Sequence, residues 1–481
     1  MGSVETMSQD IRKIQDASLR LLHQTGIRLR HPEIMAMVRD HGVIVAGDVA
    51  RFPPERLMDL VSMAPGEFRL YAKNSRNDLI VGGENTCFAP CYGAARIVAP
   101  GGAVRPGCLK DYLDLLKLFH VSRFMDLNGG ILIQPADMDA RRSLALFTLA
   151  SLLHTDKCLL AGAGDREQLH LHFNMLEMVF GGKAALSARP RVLAIVNTTS
   201  PLQMDEFALE TLIQYTRRGQ PVMISPTVMA GSTGPVTLAG TLVLSNAEAL
   251  AGVALTQMVR PGCPVVYGCQ STASDMRTGG ISSGAPERAL CISYGAMLAR
   301  SLGLPYRSGG ADNDAPSLTP QAAAESMMNL MAAVTAGVNL VVHAAGILNG
   351  FAAVSLEKAV FDLEILSRLR RWQQGVSWDA TELAEEVIRH VGIGGEYLTS
   401  RHTFDNCRKA LWIPEVSSNE PLGERADVSR DISRCTEKAE RMIGRYQVPF
   451  RDMKLETALV DFMRGHDYPE DLLAQLVSPP G

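Results

Sequence analysis

The chain has 481 residues, 46% of them hydrophobic and 20% charged, which is enough for a large globular core. A net charge of −4 with no basic block excludes nucleic acid as the main partner, because phosphate binding needs a clustered positive face. Nine cysteines without a CxxC pair, a start without a secretory signal and no run of ~18 uninterrupted apolar residues predict a reduced, cytoplasmic protein with no membrane anchor.

Residues 1–84 read as an N-terminal helical cap and lead-in, covering one end of the main domain. Ile11, Ile14, Ala17, Leu21 and Leu22 recur at helical spacing, and further helices are expected from His31-Pro32 and after Pro53-Pro54. A weak strand at Thr86–Ala89 and a helix over Asp111–Phe119 follow. Then a rhythm sets in. Apolar runs at Gly130–Gln134, Lys157–Ala161, Val192–Asn197, Pro221–Ser225, Pro264–Gly268, Leu304–Ser308 and Val338–His343 each precede a helical pattern.

Those helices are expected at Ala140–Leu153, Glu167–Val179, Leu202–Tyr215, Ala247–Val259, Glu287–Ser301, Gln321–Ala336 and Leu356–Leu369. Ser200–Gln203 and Ser245–Glu248 have the spacing of capping boxes, and Thr319-Pro320 that of an N-cap followed by proline. Eight strand–helix units predict a (β/α)8 TIM barrel over residues 85–370. A doubly wound open sheet would show GxGxxG after its first strand, and none is present. Residues 371–481 read as a C-terminal helical extension, with helices at Thr381–His390, Arg430–Arg445 and Leu455–Arg464, an irregular stretch around Trp412 and a frayed end at Ser478–Gly481. Its apolar helices suggest a homo-oligomer.

In such a barrel the residues just past each strand converge on one mouth. They include Tyr92, Gln134, Asn197, Ser225, Gln270, Asp312, Asp314, His343, Asn349 and Phe351. A Schiff base needs a strand-end lysine, but Lys157 and Lys358 fall at the wrong ends of their elements. Asp312, Asp314 and His343 are too few for a metal site, and none is expected. A phosphate site on Gly309-Gly310 would have only Arg307 to support it, and Cys269 lacks a neighbouring base. A mouth of amides, aromatic rings and one or two acids suits a small cationic guest, held by aromatic faces and partial negative charge.

The run Pro226, Gly231–Pro235, Leu238–Gly240, Asn246–Glu248, Gln257, Pro261–Pro264 and Tyr267-Gly268 resembles the trimethylamine methyltransferase family. The similarity continues through Pro286-Glu287, Leu302–Pro305, Gly309-Gly310, Asp314, Gln321, Gly337, Gly346, Ser355 and Asp362, and into Gly394–Leu398, His402-Thr403, Arg408, Trp412 and Pro414. The resemblance implies a (β/α)8 enzyme that moves a methyl group from a methylated amine to the cobalt of a separate corrinoid protein, with no tightly bound cofactor of its own. Trimethylamine-specific archaeal members carry pyrrolysine; this sequence has only standard residues, and Ala315, Pro316 and Thr319 depart from the family pattern there.

Members without pyrrolysine resemble quaternary-amine demethylases, with glycine betaine the leading substrate and carnitine or proline betaine as others. On that basis Asn197, Gln270 and His343 are expected to orient the substrate's polar end, and Tyr92 and Phe351 to face the ammonium. Gly309, Gly310, Asp312, Asp314, Gln321 and Gly346 are expected to shape the loops, and no residue is assigned as acid or base. Two alternatives stay open from the residues: a non-catalytic betaine-binding or sensing protein, and a barrel lyase using Asp312 and Asp314.

Overall fold

The computed structural model describes residues 4–421, 429–449 and 452–477. The expected fray at Ser478–Gly481 lies outside them. Eight short parallel strands form one sheet: β1 (Cys87–Phe88), β2 (Leu127–Asn128), β3 (Cys158–Ala161), β4 (Val192–Asn197), β5 (Val222–Ser225), β6 (Val265–Gly268), β7 (Tyr306–Gly309) and β8 (Leu340–Val342). The order β1-β8-β7-β6-β5-β4-β3-β2 means that consecutive strands pair and β8 returns to β1, with Leu340 opposite Cys87. No ladder joins β1 to β2. Asp126 bridges that seam instead: its N–H donates to the Phe88 carbonyl at 2.9 Å, and its carboxylate accepts from the Phe88 N–H at 2.8 Å.

Helices follow the strands in turn: α1 (Leu109–Val121), α2 (Ser143–His154), α3 (Arg166–Phe180), α4 (Glu206–Arg217), α5 (Leu238–Val259), α6 (Pro286–Ser301), α7 (Pro320–Thr335) and α8 (Leu356–Gln373). Together they make the expected (β/α)8 barrel. Strands covered on both faces must be apolar throughout, and Val192–Val196 and Val222–Ser225 are buried without alternation. Asp165, Asp205, Thr319 and Ser355 cap α3, α4, α7 and α8, each side-chain oxygen accepting a first-turn N–H.

Three local expectations fail. The run Gly130–Gln134 is not the barrel strand; β2 ends at Asn128, Gly129 and Gly130 turn the chain with φ of 89° and 71°, and the run pairs past the seam, where Gln134 N donates to Ala94 O at 2.7 Å. Ser200–Gln203 caps nothing: Gln203–Met204 forms a strand beside Ile27–Leu29, and Asp205 caps α4. Ser245–Glu248 lies inside α5, whose apolar run extends the helix back to Leu238.

That 22-residue helix is apolar on every side, so it must be covered outside the barrel as well as within. The N-terminal helices Val4–Gln24, Pro32–Asp40 and Pro54–Ser62 lie along it, and Ser18 Oγ donates to Val243 O at 2.9 Å. These helices cover a flank of the barrel, while the hairpin Glu67–Leu70 with Leu79–Gly82, later in the same stretch, lies at its foot, where Phe68, Leu70 and Val81 cluster with Leu127, Leu193 and Leu340. Among the described residues α5 is the one helix long and apolar enough to cross a bilayer, and most of it is buried.

At the C-terminus, helices Arg430–Gly444, Met453–Arg464 and Glu470–Val477 pack on α8, α1, α2 and α3. The helix expected over Thr381–His390 is broken by Ala384 at φ 52°, giving Ala380–Leu383 and Glu385–Val391. A further helix, Arg401–Ala410, follows within the stretch expected to be irregular.

Candidate functional site

The loops beyond the strands enclose a cavity of about 720 Å³ at the barrel mouth. Tyr92, Asn197, Gln270, His343 and Phe351, each expected at the mouth, all line it, as do Gln134 and Ser225. The structure adds Arg307, Phe147, Phe207, Arg141 and Asp165. Ser225, Gln270, Arg307 and His343 are buried at the deep end, whereas Gln134, Asn197, Arg141 and Asp165 stand at the exposed rim.

The acids expected at the mouth do not reach the cavity. Asp312 is buried behind it, its Oδ2 accepting from Arg288 Nε at 3.0 Å and from Gln270 Nε2 at 3.1 Å. Asp314 accepts from the N–H groups of Ser283 and Gly284 at 2.7 and 3.0 Å, tying the β6–α6 loop to the β7–α7 loop. Asp362, held by Lys358, accepts from Gly346 N at 2.8 Å and fixes the loop after β8. Glu248 on α5 accepts from Ser200 Oγ and Leu202 N, both at 2.8 Å, and from Thr198 Oγ1, holding the loop beyond Asn197. Apart from Asp165 at the rim, the carboxylates near the mouth clamp loops from behind, and the lyase reading of Asp312 and Asp314 loses its acid–base pair.

What remains in the deep cavity is positive. Arg307 Nη1 donates to Ser225 Oγ at 2.7 Å and to Gln270 Oε1 at 2.8 Å, and its Nε has no partner. Burial, then the charge of Arg288, pulls its pKa down to about 10, so it stays charged at neutral pH. Arg288 is matched by Asp312; Arg307 has no carboxylate of its own. His343 is held neutral, its pKa driven well below the usual value by burial and by both guanidiniums, and its Nδ1 has no partner.

The loop after β8 is strained where it meets the cavity. His343, Asn349 and Phe351 adopt left-handed backbone with φ of 59°, 50° and 75°, which costs roughly 1–3 kcal/mol each and persists only where surrounding packing enforces it. The strain sets the His343 and Phe351 rings 4.9 Å apart at 48°. Gly309 and Gly310 serve close packing: a Cβ on Gly309 would lie 2.0 Å from Asp312 Oδ2, and one on Gly310 2.5 Å from Val341 Cγ1. Gln321 sits outside the mouth on α7, its Nε2 donating to Glu325 at 2.9 Å.

Phe147 and Phe207 belong to helices, so a rule restricted to strand ends overlooks them. Arg307 points inward from within β7, where a sequence shows only a lone charge in an apolar run.

A family model for trimethylamine methyltransferase (MTTB) matches residues 1–467. The chain is 38% identical to a glycine betaine methyltransferase from Desulfitobacterium hafniense (strain Y51), over 96% of this chain and 97% of that one. It is 27% identical to a proline betaine:corrinoid methyltransferase from Eubacterium limosum, over 92% and 93% of the two chains. Among solved structures, the hydroxylamine complex of MtmB matches with a TM-score of 0.52 at 11% identity, covering 94% of this chain and 89% of that one, which bears on the fold alone. On the family match and the 38% identity together, this chain belongs to the trimethylamine methyltransferase family.

Proposed function

We propose that the protein moves a methyl group from a quaternary amine that also carries a carboxylate, glycine betaine foremost, to cobalt(I) of a corrinoid held on a separate protein. The observation that carries the substrate reading is Arg307, a buried guanidinium facing the cavity whose hydrogen-bond partners are neutral, the one nearby carboxylate, Asp312, being paired with Arg288. An unmatched buried charge is expensive, and a substrate carboxylate relieves it. A methylated ammonium lacking a carboxylate meets repulsion there instead. With its carboxylate on Arg307, the substrate's ammonium lies among Tyr92, Phe147 and Phe351, whose ring faces attract a cation that has no proton to donate. Asn197 and His343 flank it, and Gln270 holds Arg307 in place.

The corrinoid supplies the nucleophile. When the methyl carbon is attacked in line, the C–N bonding pair stays on nitrogen and the amine leaves neutral, so no general acid is required. The chain's own task is positioning and electrostatic fit. A neutral His343 and a deep cavity free of carboxylates agree with this. A small betaine fills only part of the 720 Å³ cavity, leaving its open side for the acceptor.

Calorimetric titration of Arg307→Gln with glycine betaine tests the reading, with choline as the ligand lacking a carboxylate. Loss of a charge-assisted hydrogen bond of about 1.5–3 kcal/mol predicts roughly 10- to 100-fold weaker glycine betaine binding. Choline should bind the wild type weakly and gain nothing from Arg307. Unchanged glycine betaine affinity in the variant overturns the assignment.

A further inference from the structure

The segment joining α8 to the C-terminal helices is held to α8 near its end, where Trp412 Nε1 donates to Ser367 Oγ at 3.0 Å, and is largely exposed before that. None of the described residues from 372 to 415 is buried. Eleven of the twenty large apolar side chains exposed among the described residues fall between Trp372 and Ile413, including Trp378 at 76%, Leu398 at 82%, Phe404 at 75% and Ile393 fully exposed. The apolar surface they present is on the order of 1,000 Å², beyond the few hundred usual for a monomer and comparable with the ~800 Å² per partner of a stable interface. Its helices have 4, 7 and 10 residues, below the ~12–15 at which an isolated helix holds in water.

The surface complementary to this segment is on the same chain. Residues 376–404 hold Asp379, Glu382, Glu385, Glu386 and Glu396 against Arg389 and Arg401, so this part of the segment is acidic, before Arg408 and Lys409 near its root. Glu385 and Glu386 pair with Arg389, and Glu396 accepts from Thr399, all within the segment. At the foot of the barrel, away from the mouth, two adjoining grooves of about 440 and 530 Å³ are lined by Arg123, Arg370, Arg371, Arg441 and Arg445 around Phe124, with Glu415 their one acid and with Leu411, Trp412 and Ile413, the root of the segment itself, as one wall. The segment is rooted there too: it leaves the end of α8, and Glu415 pairs with Arg123 in the α1–β2 turn at 3.5 Å.

We infer that residues 376–404 form an arm that docks on a second copy of this chain, its acidic, apolar face against the partner's basic foot, in a symmetric exchange. The same two surfaces on each copy satisfy each other twice, which closes the assembly as a dimer. The barrel mouths stay clear of this interface, because both arm and grooves root at the opposite end.

Sedimentation velocity of the full chain at micromolar concentration tests this. The expected mass is twice the 52.1 kDa of one chain. Ile393→Asp with Phe404→Asp should give monomers whose circular dichroism is unchanged. Glu385→Arg with Glu386→Arg should weaken association about tenfold or more, and adding Arg441→Glu with Arg445→Glu should restore it, which general damage to the fold would not. A monomeric wild type overturns the proposal. So does a charge swap that fails to restore association, or an arm that binds only a corrinoid protein.

Discussion

Arg307 and His343 are neighbours at the deep end of one cavity, and the same burial acts on them in opposite senses for function. A guanidinium has so high an intrinsic pKa that its fall to about 10 leaves the charge intact, whereas an imidazole pushed down from near 6.5 loses its charge altogether. The deep end of the cavity therefore offers one fixed cation and a neutral ring over the working range. Because His343 has finished titrating well below neutrality and a quaternary amine carries no exchangeable proton, the rate of methyl transfer should be flat between about pH 6 and 8. A single-turnover pH series, read from the corrinoid's absorbance, checks this; an inflection near 6.5 that vanishes in His343→Gln would assign His343 a proton-transfer role instead. From the sequence, His343 and Gln270 are recognisable as mouth residues because they follow strands. Their states are not, because a pKa depends on burial and on guanidiniums far away in the chain.

At the scale of elements, the helices act as fasteners for the loops. Glu248 in α5 holds the loop that follows Asn197, and Asp362 in α8 the loop between His343 and Phe351. The fit of α5 on the sheet depends on a missing side chain: a Cβ on Gly252 would fall 2.5 Å from Ile224 Cγ2 on β5, next to Ser225, which receives Arg307. Gly252→Val should cost about 1–3 kcal/mol by overpacking, seen as a lower urea midpoint, and should weaken substrate binding through the displaced Ser225. Most barrel helices are legible from periodicity and caps, as Thr319 and Ser355 show. The signal at Ser245 misleads because a capping box is worth only about 1 kcal/mol, which the burial of a 22-residue apolar helix easily outweighs, and that at Ser200 because Gln203 pairs as a strand and Asp205 supplies the cap. The strand β2 is missed because two residues carry no period.

At the scale of the molecule, the N-terminal helices are tied to the barrel through a buried acid. Glu210 on α4 accepts from His31 at 3.0 Å and from Arg166 Nε at 3.0 Å. Burial would raise its pKa, but hydrogen bonds from Arg166, Gln214 and His31 outweigh that and bring it down to about 2 from 4.5. A depressed folded-state pKa means that the unfolded chain takes up the proton first. The stability contributed by Glu210 is then complete above pH 4.5 and is lost as pH falls toward 2. Glu210→Gln should lower stability at neutral pH and flatten the acid limb of the unfolding curve in that window, measured by denaturant melts across pH. An acid limb unchanged in the variant would mean that other carboxylates dominate.

Taken alone, the sequence determined the repeated strand–helix unit, and hence the barrel and the loops that bear its chemistry, because apolar periodicity and helix caps are local properties. Only the tertiary structure decided the sign of charge in the cavity, since that depends on which way each side chain turns: Asp312 and Asp314 back into the scaffold, Arg307 inward from β7. It alone also revealed an arm without a core, because burial is a relation between distant segments that no window of the chain contains.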